Sequence, residues 1–75
     1  MIDLYIYQRI RDLREDSDMT QEQVAKILGL QTTTYRRYEV GERECPTHII
    51  IKLCFLYNTT ADYILGITNE KRKIK

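Results

Sequence analysis

Residues 20–43, TQEQVAKILGLQTTTYRRYEVGER, have the pattern of two short helices joined by a tight turn. Thr20 and Gln23 have the spacing of a capping box, in which each side chain hydrogen-bonds the backbone N–H of the other residue. Four apolar residues at helical spacing then predict a buried stripe: Val24, Ala25, Ile27 and Leu28. Gly29 predicts the end of this helix, because glycine readily takes the left-handed conformation that other residues avoid.

The second half of the segment separates into two faces. Tyr35 and Tyr38 are three residues apart and therefore lie on one side of a helix. The opposite side carries polar and basic residues: Thr32, Thr33, Arg36 and Arg37. Their methyl, hydroxyl and guanidinium groups are those that read base edges in the major groove of DNA. A helix, a tight glycine turn and a second helix with such a face predict a helix-turn-helix.

The sequence resembles the Cro/repressor-type helix-turn-helix proteins, which are the XRE family with the lambda-repressor-like fold. The residues that carry the resemblance are Arg14, Thr20-Gln21, Val24-Ala25, Leu28-Gly29, Tyr38-Glu39, Gly41, Pro46 and the run IKLCFLYNTTADYILG. They extend over about Ile6 to Gly66, which is nearly the whole chain. The resemblance implies an all-α domain of five helices that binds DNA through its helix-turn-helix.

The resemblance also implies roles for individual residues at the DNA. The base-reading residues would be Thr32, Thr33, Arg36 and Arg37. Residues that touch or approach phosphates would be Gln21, Gln31, Arg43 and Arg11. Among the arginines, Arg37 would contact a guanine in bidentate fashion, and Arg36 a phosphate or a flanking base. The alternative is that both arginines are solvated charges on an exposed helix face.

Two further residues are implied to be structural. In the family, an arginine at the position of Arg14 pairs with a glutamate at the position of Glu39, which would tie the first helix to the end of the third. The alternative is two unrelated surface charges. Gln21 would lie near a phosphate and also brace the recognition helix, unless it is an ordinary exposed residue of the second helix.

The two ends of the recognition helix depart from the family pattern. Gln31 stands where Ser, Thr or Asn usually caps the helix, and glutamine is a poor cap. Either Thr32 takes over part of the capping or the helix start is weaker, and the Gln31 side chain could reach DNA instead. At the other end, Arg43 lies between Glu42 and Glu44, whose carboxylates repel phosphate.

The remaining helices are predicted on either side of this segment. Ile2 to Asp16 reads as the first helix, with a buried stripe of Ile6, Ile10 and Leu13 to which Leu4 or Tyr5 could add. Pro46 fits the first turn of a fourth, apolar helix. The core residues expected from that helix are Ile49, Ile50, Leu53, Cys54, Leu56 and Tyr57. Thr60 predicts the cap of a fifth helix from Ala61 to Leu65, closed by Gly66. We expect one domain over residues 1–68 and a frayed basic tail over 69–75.

Composition limits the other classes of function. Seventy-five residues form one small core and leave little room for a catalytic or ligand-sensing domain. The sequence has one histidine and no glycine-rich phosphate loop, so we expect no enzyme and no cofactor. Cys45, His48 and Cys54 lack a fourth ligand and the paired spacing of a zinc site, so no metal site is expected. Without a long apolar run or a signal peptide pattern, we expect a soluble cytoplasmic protein.

These patterns together predict a sequence-specific transcriptional regulator that represses by occupying a double-stranded DNA operator. A net charge of only +1 means that DNA binding would depend on a local basic patch. The alternative is a protein-interaction module of the same fold, such as an antitoxin or an anti-repressor-like protein. We expect a homodimer on DNA, paired through Tyr63, Ile64, Ile67 and Ile74 of the fifth helix and tail. Alternatively, Tyr63 and Ile64 complete the core and the protein is monomeric until it meets DNA.

Overall fold

The computed structural model describes residues 8–70 and residues 73 and 74, and this part of the chain contains helices without strands. The helices are α1 (Gln8–Asp16), α2 (Gln21–Leu28), α3 (Thr32–Val40), α4 (Thr47–Tyr57) and α5 (Ala61–Ile64). The all-α class and the order of five helices are therefore confirmed.

Helix α1 is described from Gln8 onward. The start expected at Ile2, and the stripe residue Ile6 with its neighbours Leu4 and Tyr5, lie outside the described residues. The other two stripe residues, Ile10 and Leu13, are buried as expected.

Helix α2 begins with the capping box that its sequence predicts. The Thr20 hydroxyl accepts a hydrogen bond from the Gln23 backbone N–H at 3.1 Å, and the Gln23 side chain accepts one from the Thr20 N–H at 2.8 Å. Val24, Ala25 and Leu28 are buried. The prediction for Ile27 is wrong, because this side chain is exposed. At 100° per residue, Ile27 points about 110° away from the middle of the buried arc.

The core lies where all five helices converge. Ile10 of α1, Val24 of α2 and Tyr35 of α3 are fully buried, together with Ile49 and Leu53 of α4. Ile64 of α5 completes the core, with the partly buried Leu56, Tyr57 and Tyr63 packed against it. Cys54 is buried as expected, and Cys45 in the preceding loop is buried as well. The recognition helix is thus held on a core to which every other helix contributes.

The ends of α4 and α5 differ slightly from expectation. Pro46 is the N-cap of α4 and precedes the helix, whereas its first turn had been expected. Asn58 ends α4 in the left-handed conformation, with φ of 51°. The Thr60 hydroxyl accepts a hydrogen bond from the Tyr63 N–H, as predicted, but α5 ends at Ile64 and Leu65 is its C-cap.

The segment after α5 is attached to the rest of the domain. The Arg9 guanidinium donates to the carbonyl oxygens of Tyr63 and Thr68, both at 3.1 Å, and to Asn69 Oδ1 at 2.6 Å. It also lies over the Tyr63 ring, 4.1 Å from the ring centroid. Further on, the Ile74 N–H donates to Asn58 Oδ1 at 3.2 Å. Two residues of the expected tail, Asn69 and Ile74, are thus hydrogen-bonded to the rest of the domain.

No helix in the described ranges combines the length and the apolar character required to cross a lipid bilayer.

Candidate nucleic-acid interface

The turn between α2 and α3 fixes how the recognition helix is presented. Gly29 has a φ of 76°, the left-handed conformation predicted for it. The Leu30 N–H donates to the Ala25 carbonyl at 2.8 Å and the Gly29 N–H to the Lys26 carbonyl at 3.2 Å, which is the bonding pattern of a Schellman motif. An added Cβ at Gly29 would meet no other atom within 4 Å, so the backbone conformation alone accounts for the glycine.

Helix α3 has one buried and one exposed face. Tyr35 and Glu39 are buried, and Tyr38 is partly buried against the core. The candidate base-reading residues are all exposed: Thr32, Thr33, Arg36 and Arg37. Among the described residues, neither Arg36 nor Arg37 forms an ion pair, so both guanidinium groups are available to a ligand. The structure thus brings the four polar residues together on one open surface.

The N-terminal end of α3 carries no side-chain cap. Gln31 occupies the N-cap position with extended backbone, and its side chain makes no capping hydrogen bond. Thr32 is the first helical residue and does not replace it, so of the two alternatives the uncapped helix start is the one observed. The first-turn N–H groups and the exposed Gln31 amide therefore remain available, at an end of the helix that attracts anions.

A buried ion pair fastens the C-terminal part of α3 to α1. Arg14 Nε donates to Glu39 Oε2 at 2.8 Å, and Arg14 Nη2 donates to Glu39 Oε1 at 3.0 Å. The Glu39 side chain is only 2% exposed and that of Arg14 is 14% exposed. Arg14 Nη1 also donates to the Met19 carbonyl at 2.9 Å, which links the pair to the residue before the α2 cap.

Gln21 belongs to the same network. Its Nε2 donates to Glu39 Oε1 at 3.1 Å, so Gln21 braces the recognition helix from α2. Burial alone would raise the pKa of Glu39, but the hydrogen bonds from Arg14 and Gln21 outweigh burial and hold this pKa below its ordinary value. The Glu39 hydrogen bonds in turn raise the pKa of Arg14. Both groups are therefore charged wherever the fold persists near neutral pH.

The two outer candidates for phosphate contacts are in different surroundings. Arg43 is exposed between Glu42 and Glu44, which are exposed as well, so the carboxylates reduce its local positive potential. Arg11 Nε lies 3.3 Å from Glu15 Oε2 on the surface of α1. A phosphate at Arg11 would have to compete with this carboxylate.

Two contacts that support the motif were missed by sequence reasoning. Lys52 of α4 donates from Nζ to the Leu28 carbonyl at 3.2 Å, which satisfies an end carbonyl of α2 beside the turn. Arg9 of α1 holds the segment after α5 through the Tyr63 and Thr68 carbonyls. The local sequence around Lys52 or Arg9 does not indicate these contacts, because Lys52 lies 24 residues from its partner and Arg9 at least 54 residues from its partners.

Other reactive side chains do not assemble into a site. Burial raises the pKa of Cys45 to about 12, so its thiol stays protonated, and burial also raises that of Cys54. His48 is exposed on the first turn of α4, as expected. In the described part of the chain, no three histidine, cysteine or acidic side chains are grouped so as to hold a metal ion.

The fold and the exposed α3 face agree with a comparison against known families. The sequence model of the helix-turn-helix family matches residues 10–64, which run from α1 through the end of α5. The chain belongs to this helix-turn-helix family. The arrangement of its helices is that of a small lambda-repressor-like domain.

Curated relatives carry regulatory names. YobD of Bacillus subtilis (strain 168), an uncharacterised HTH-type transcriptional regulator, is 36% identical over 63 residues, covering 84% of this chain and 56% of the relative. The HTH-type transcriptional regulator ImmR of the same organism is 31% identical over 65 residues, 87% of this chain and 51% of ImmR. The cryptic phage CTXphi transcriptional repressor RstR of Vibrio cholerae is 39% identical over 69 residues, 89% of this chain and 62% of RstR.

The chain thus spans about half the length of the curated relatives it matches. No solved structure gives a significant match.

Proposed function

We propose that this chain binds double-stranded DNA sequence-specifically and regulates transcription as a repressor, by occupying an operator. The observation that carries the proposal is the open face of α3, which projects two threonines and two arginines from a helix anchored on its other side. Within the described ranges, neither arginine forms an ion pair. The helix-turn-helix relatives, which include a transcriptional repressor, support it. The protein acts in the cytoplasm and its role is binding, without catalysis.

The proposed base contacts follow from the chemistry of the α3 face. An arginine guanidinium can donate two parallel hydrogen bonds to O6 and N7 of guanine, and threonine offers a methyl group to thymine and a hydroxyl to any base edge. Arg36 and Arg37 are consecutive and point about 100° apart, so only one of them can aim at the centre of the groove. We assign that position to Arg37, and a phosphate or flanking base to Arg36.

The proposed backbone contacts are few. The side chains proposed to contact phosphates are Gln21, Gln31, Arg43 and Arg11, and Arg36 is a further candidate. Three arginines on phosphates would give a slope of log K against log salt of about −2.7 per protomer. This is modest, in keeping with a net charge of +1 and with the acidic neighbours of Arg43. The remaining affinity would come from base contacts and from the uncapped N–H groups of α3.

We further propose that two copies bind one near-palindromic site, with their recognition helices about 34 Å apart. Ile64 is removed from the surface expected to pair the two copies, because it is buried in the core and cannot reach a partner. Tyr63 is half-buried beneath Arg9, so Ile67 and Ile74 are the exposed members of the four residues expected to pair.

Selection of bound duplexes from a random pool tests this function, followed by titration of the selected site at several salt concentrations. We expect an enriched inverted repeat, tight binding and a linear salt dependence. A variant with both Arg36 and Arg37 changed to alanine should lose the selection, while Glu22→Ala on exposed α2 surface should keep it. A folded protein that enriches no sequence and shows no salt-dependent shift would contradict DNA binding and favour the protein-interaction module.

A further inference from the structure

Val40 is exposed on the face of α3 that the proposed function assigns to DNA, yet that function gives it no role. In the α3 sequence TTTYRRYEV it is the one aliphatic residue, and it is 47% exposed. At 100° per residue, its direction lies within about 10° of the mean direction of the four candidate base-reading residues. Val40 follows Arg36 by one helical turn and Arg37 by three residues, so the valine continues the same stripe of the helix.

The backbone of Val40 is held in place on both sides. Glu39, the preceding residue, is the buried partner of Arg14. Gly41, the following residue, ends α3 with φ of 84°, and its N–H donates to the Tyr38 carbonyl at 3.3 Å. A β-branched side chain in a helix has one strongly preferred χ1 rotamer. The two methyl groups of Val40 are therefore presented in a fixed direction, and covering them costs little side-chain entropy.

The last turn of α3, where Val40 lies, does not suit a phosphate. The C-terminus of a helix carries a partial negative charge, and the exposed carboxylates of Glu42 and Glu44 follow it in the chain. The N–H groups of Gly41 and Glu42, which could otherwise donate to a phosphate, are both bonded to carbonyl oxygens of α3. An apolar contact is therefore the favourable one for this turn.

Base edges in the major groove offer one methyl group, the C5-methyl of thymine. The polar groups exposed there are hydrogen-bond donors and acceptors, for which a valine side chain has no partner. Helix α3 has nine residues and is about 13.5 Å long, close to the roughly 12 Å width of the groove. When its arginine face is turned to the bases, the last turn is therefore still within the groove, with Val40 on the side of the base edges.

We propose that Val40 is a further specificity-determining residue of α3, which packs against the C5-methyl group of a thymine in the bound site. The proposal rests on the proposed DNA binding and deepens it, because it adds a base that neither arginine reads. Val40 selects thymine through contact with a methyl group, whereas Arg37 selects guanine through hydrogen bonds. The two residues are about 4.5 Å apart along the helix axis, so the thymine lies in the same half-site as that guanine.

Replacement of single thymines by deoxyuridine in the selected duplex tests this contact, because deoxyuridine lacks only the C5-methyl group. The full chain and its Val40→Ala variant are titrated with each substituted duplex at one salt concentration. At one thymine of each half-site, deoxyuridine should weaken binding of the wild-type protein about two- to fivefold, as expected for the loss of one buried methyl group. Val40→Ala should bind the thymine and deoxyuridine duplexes equally at that position, and should keep the wild-type response at every other thymine.

Further measurements control for folding and for position. Val40→Ala should keep the wild-type melting temperature, because the residue is half exposed and alanine has the higher helix propensity. Val40→Thr keeps the shape of the side chain and one methyl group, so it should lose part of the thymine preference, and it provides the same test if alanine destabilised the helix end. Ile27→Ala truncates an apolar residue that is 57% exposed on α2, and should leave the response to every deoxyuridine unchanged.

Three results would overturn the role of Val40: wild-type binding that no deoxyuridine weakens, a deoxyuridine effect that both Val40 variants leave in place, or a selected site without thymine. In each of them sequence-specific and salt-dependent binding persists, so the proposed function would stand. If the folded chain selected no sequence at all, the proposed function would be wrong, and the role of Val40 with it.

Discussion

Removal of Arg14 should be the most damaging single change beneath the recognition helix. Arg14→Ala removes both guanidinium hydrogen bonds from the Glu39 carboxylate, whose side chain is 2% exposed, and leaves the Gln21 amide 3.1 Å from Glu39 Oε1. Breaking one partner of a buried pair costs about 3–5 kcal/mol. A domain of 75 residues has a total unfolding free energy of about 4–11 kcal/mol, so this loss would be close to half of it.

Removal of the other partner, Glu39, should lower the free energy of unfolding by less. Glu39→Ala leaves Arg14 with a side chain that is 14% exposed and still bonded to the Met19 carbonyl, so we expect about 2–3 kcal/mol. The double variant leaves no buried charge, and should cost about 2–3 kcal/mol less than the sum of the two single variants. Urea unfolding followed by circular dichroism gives all three free energies.

The surface pair of Arg11 and Glu15 provides the control cycle. Its atoms are 3.3 Å apart on one helix face and both side chains are more than half exposed, so its coupling energy should be about 0.3–0.5 kcal/mol. If the cycle for Arg14 and Glu39 were additive to within about 0.5 kcal/mol, the pair would not support α3 and the reasoning would be refuted.

Three further outcomes are expected. The pKa of Glu39 is held below its ordinary 4.5, so the Glu39 carboxylate stabilises the fold above pH 4.5, and this stabilisation is lost as the pH falls through the lowered pKa. Acid unfolding should show this loss, and Glu39→Gln should reduce the dependence of stability on pH. Arg9→Ala should lower the unfolding free energy by about 1–3 kcal/mol and speed amide hydrogen exchange at residues 66–69, whereas unchanged exchange there would contradict the attachment. Leu28→Ala should lower the free energy of unfolding by about 2–4 kcal/mol, and Ile27→Ser by less than about 0.5 kcal/mol. If thermal unfolding showed equal losses for the two variants, the burial pattern of α2 would be wrong.

The features that sequence reasoning predicted well are determined by residues close together in the chain. The Thr20 cap and the Gly29 turn each depend on hydrogen bonds that span at most five residues. The two faces of α3 follow from helical periodicity once its register is known. These features suffice to recognise the helix-turn-helix and its exposed polar face.

Local sequence patterns could not predict features that depend on residues distant in the chain. Arg9 has the pattern of a surface charge, and its partners Tyr63 and Thr68 are brought to it only by the packing of α5 on α1. Ile27 is apolar and was therefore expected in the core, but its side chain projects from α2 into a surface groove. The pairing of Arg14 with Glu39, 25 residues away, was implied by family resemblance and not by local pattern.

The central claim is that the exposed face of α3 reads base pairs, with Arg37 on a guanine. Competition titrations of Arg37→Ala and Arg36→Ala against single-base variants of the selected site measure this directly. Arg37→Ala should weaken binding to the selected site by about 1–3 kcal/mol and relax the preference at one base pair in each half-site. Arg36→Ala should weaken all sequences alike and make the salt slope shallower. If Arg37→Ala instead lost the same affinity for every variant, Arg37 would contact a phosphate, and the assignment of base reading to it would be wrong.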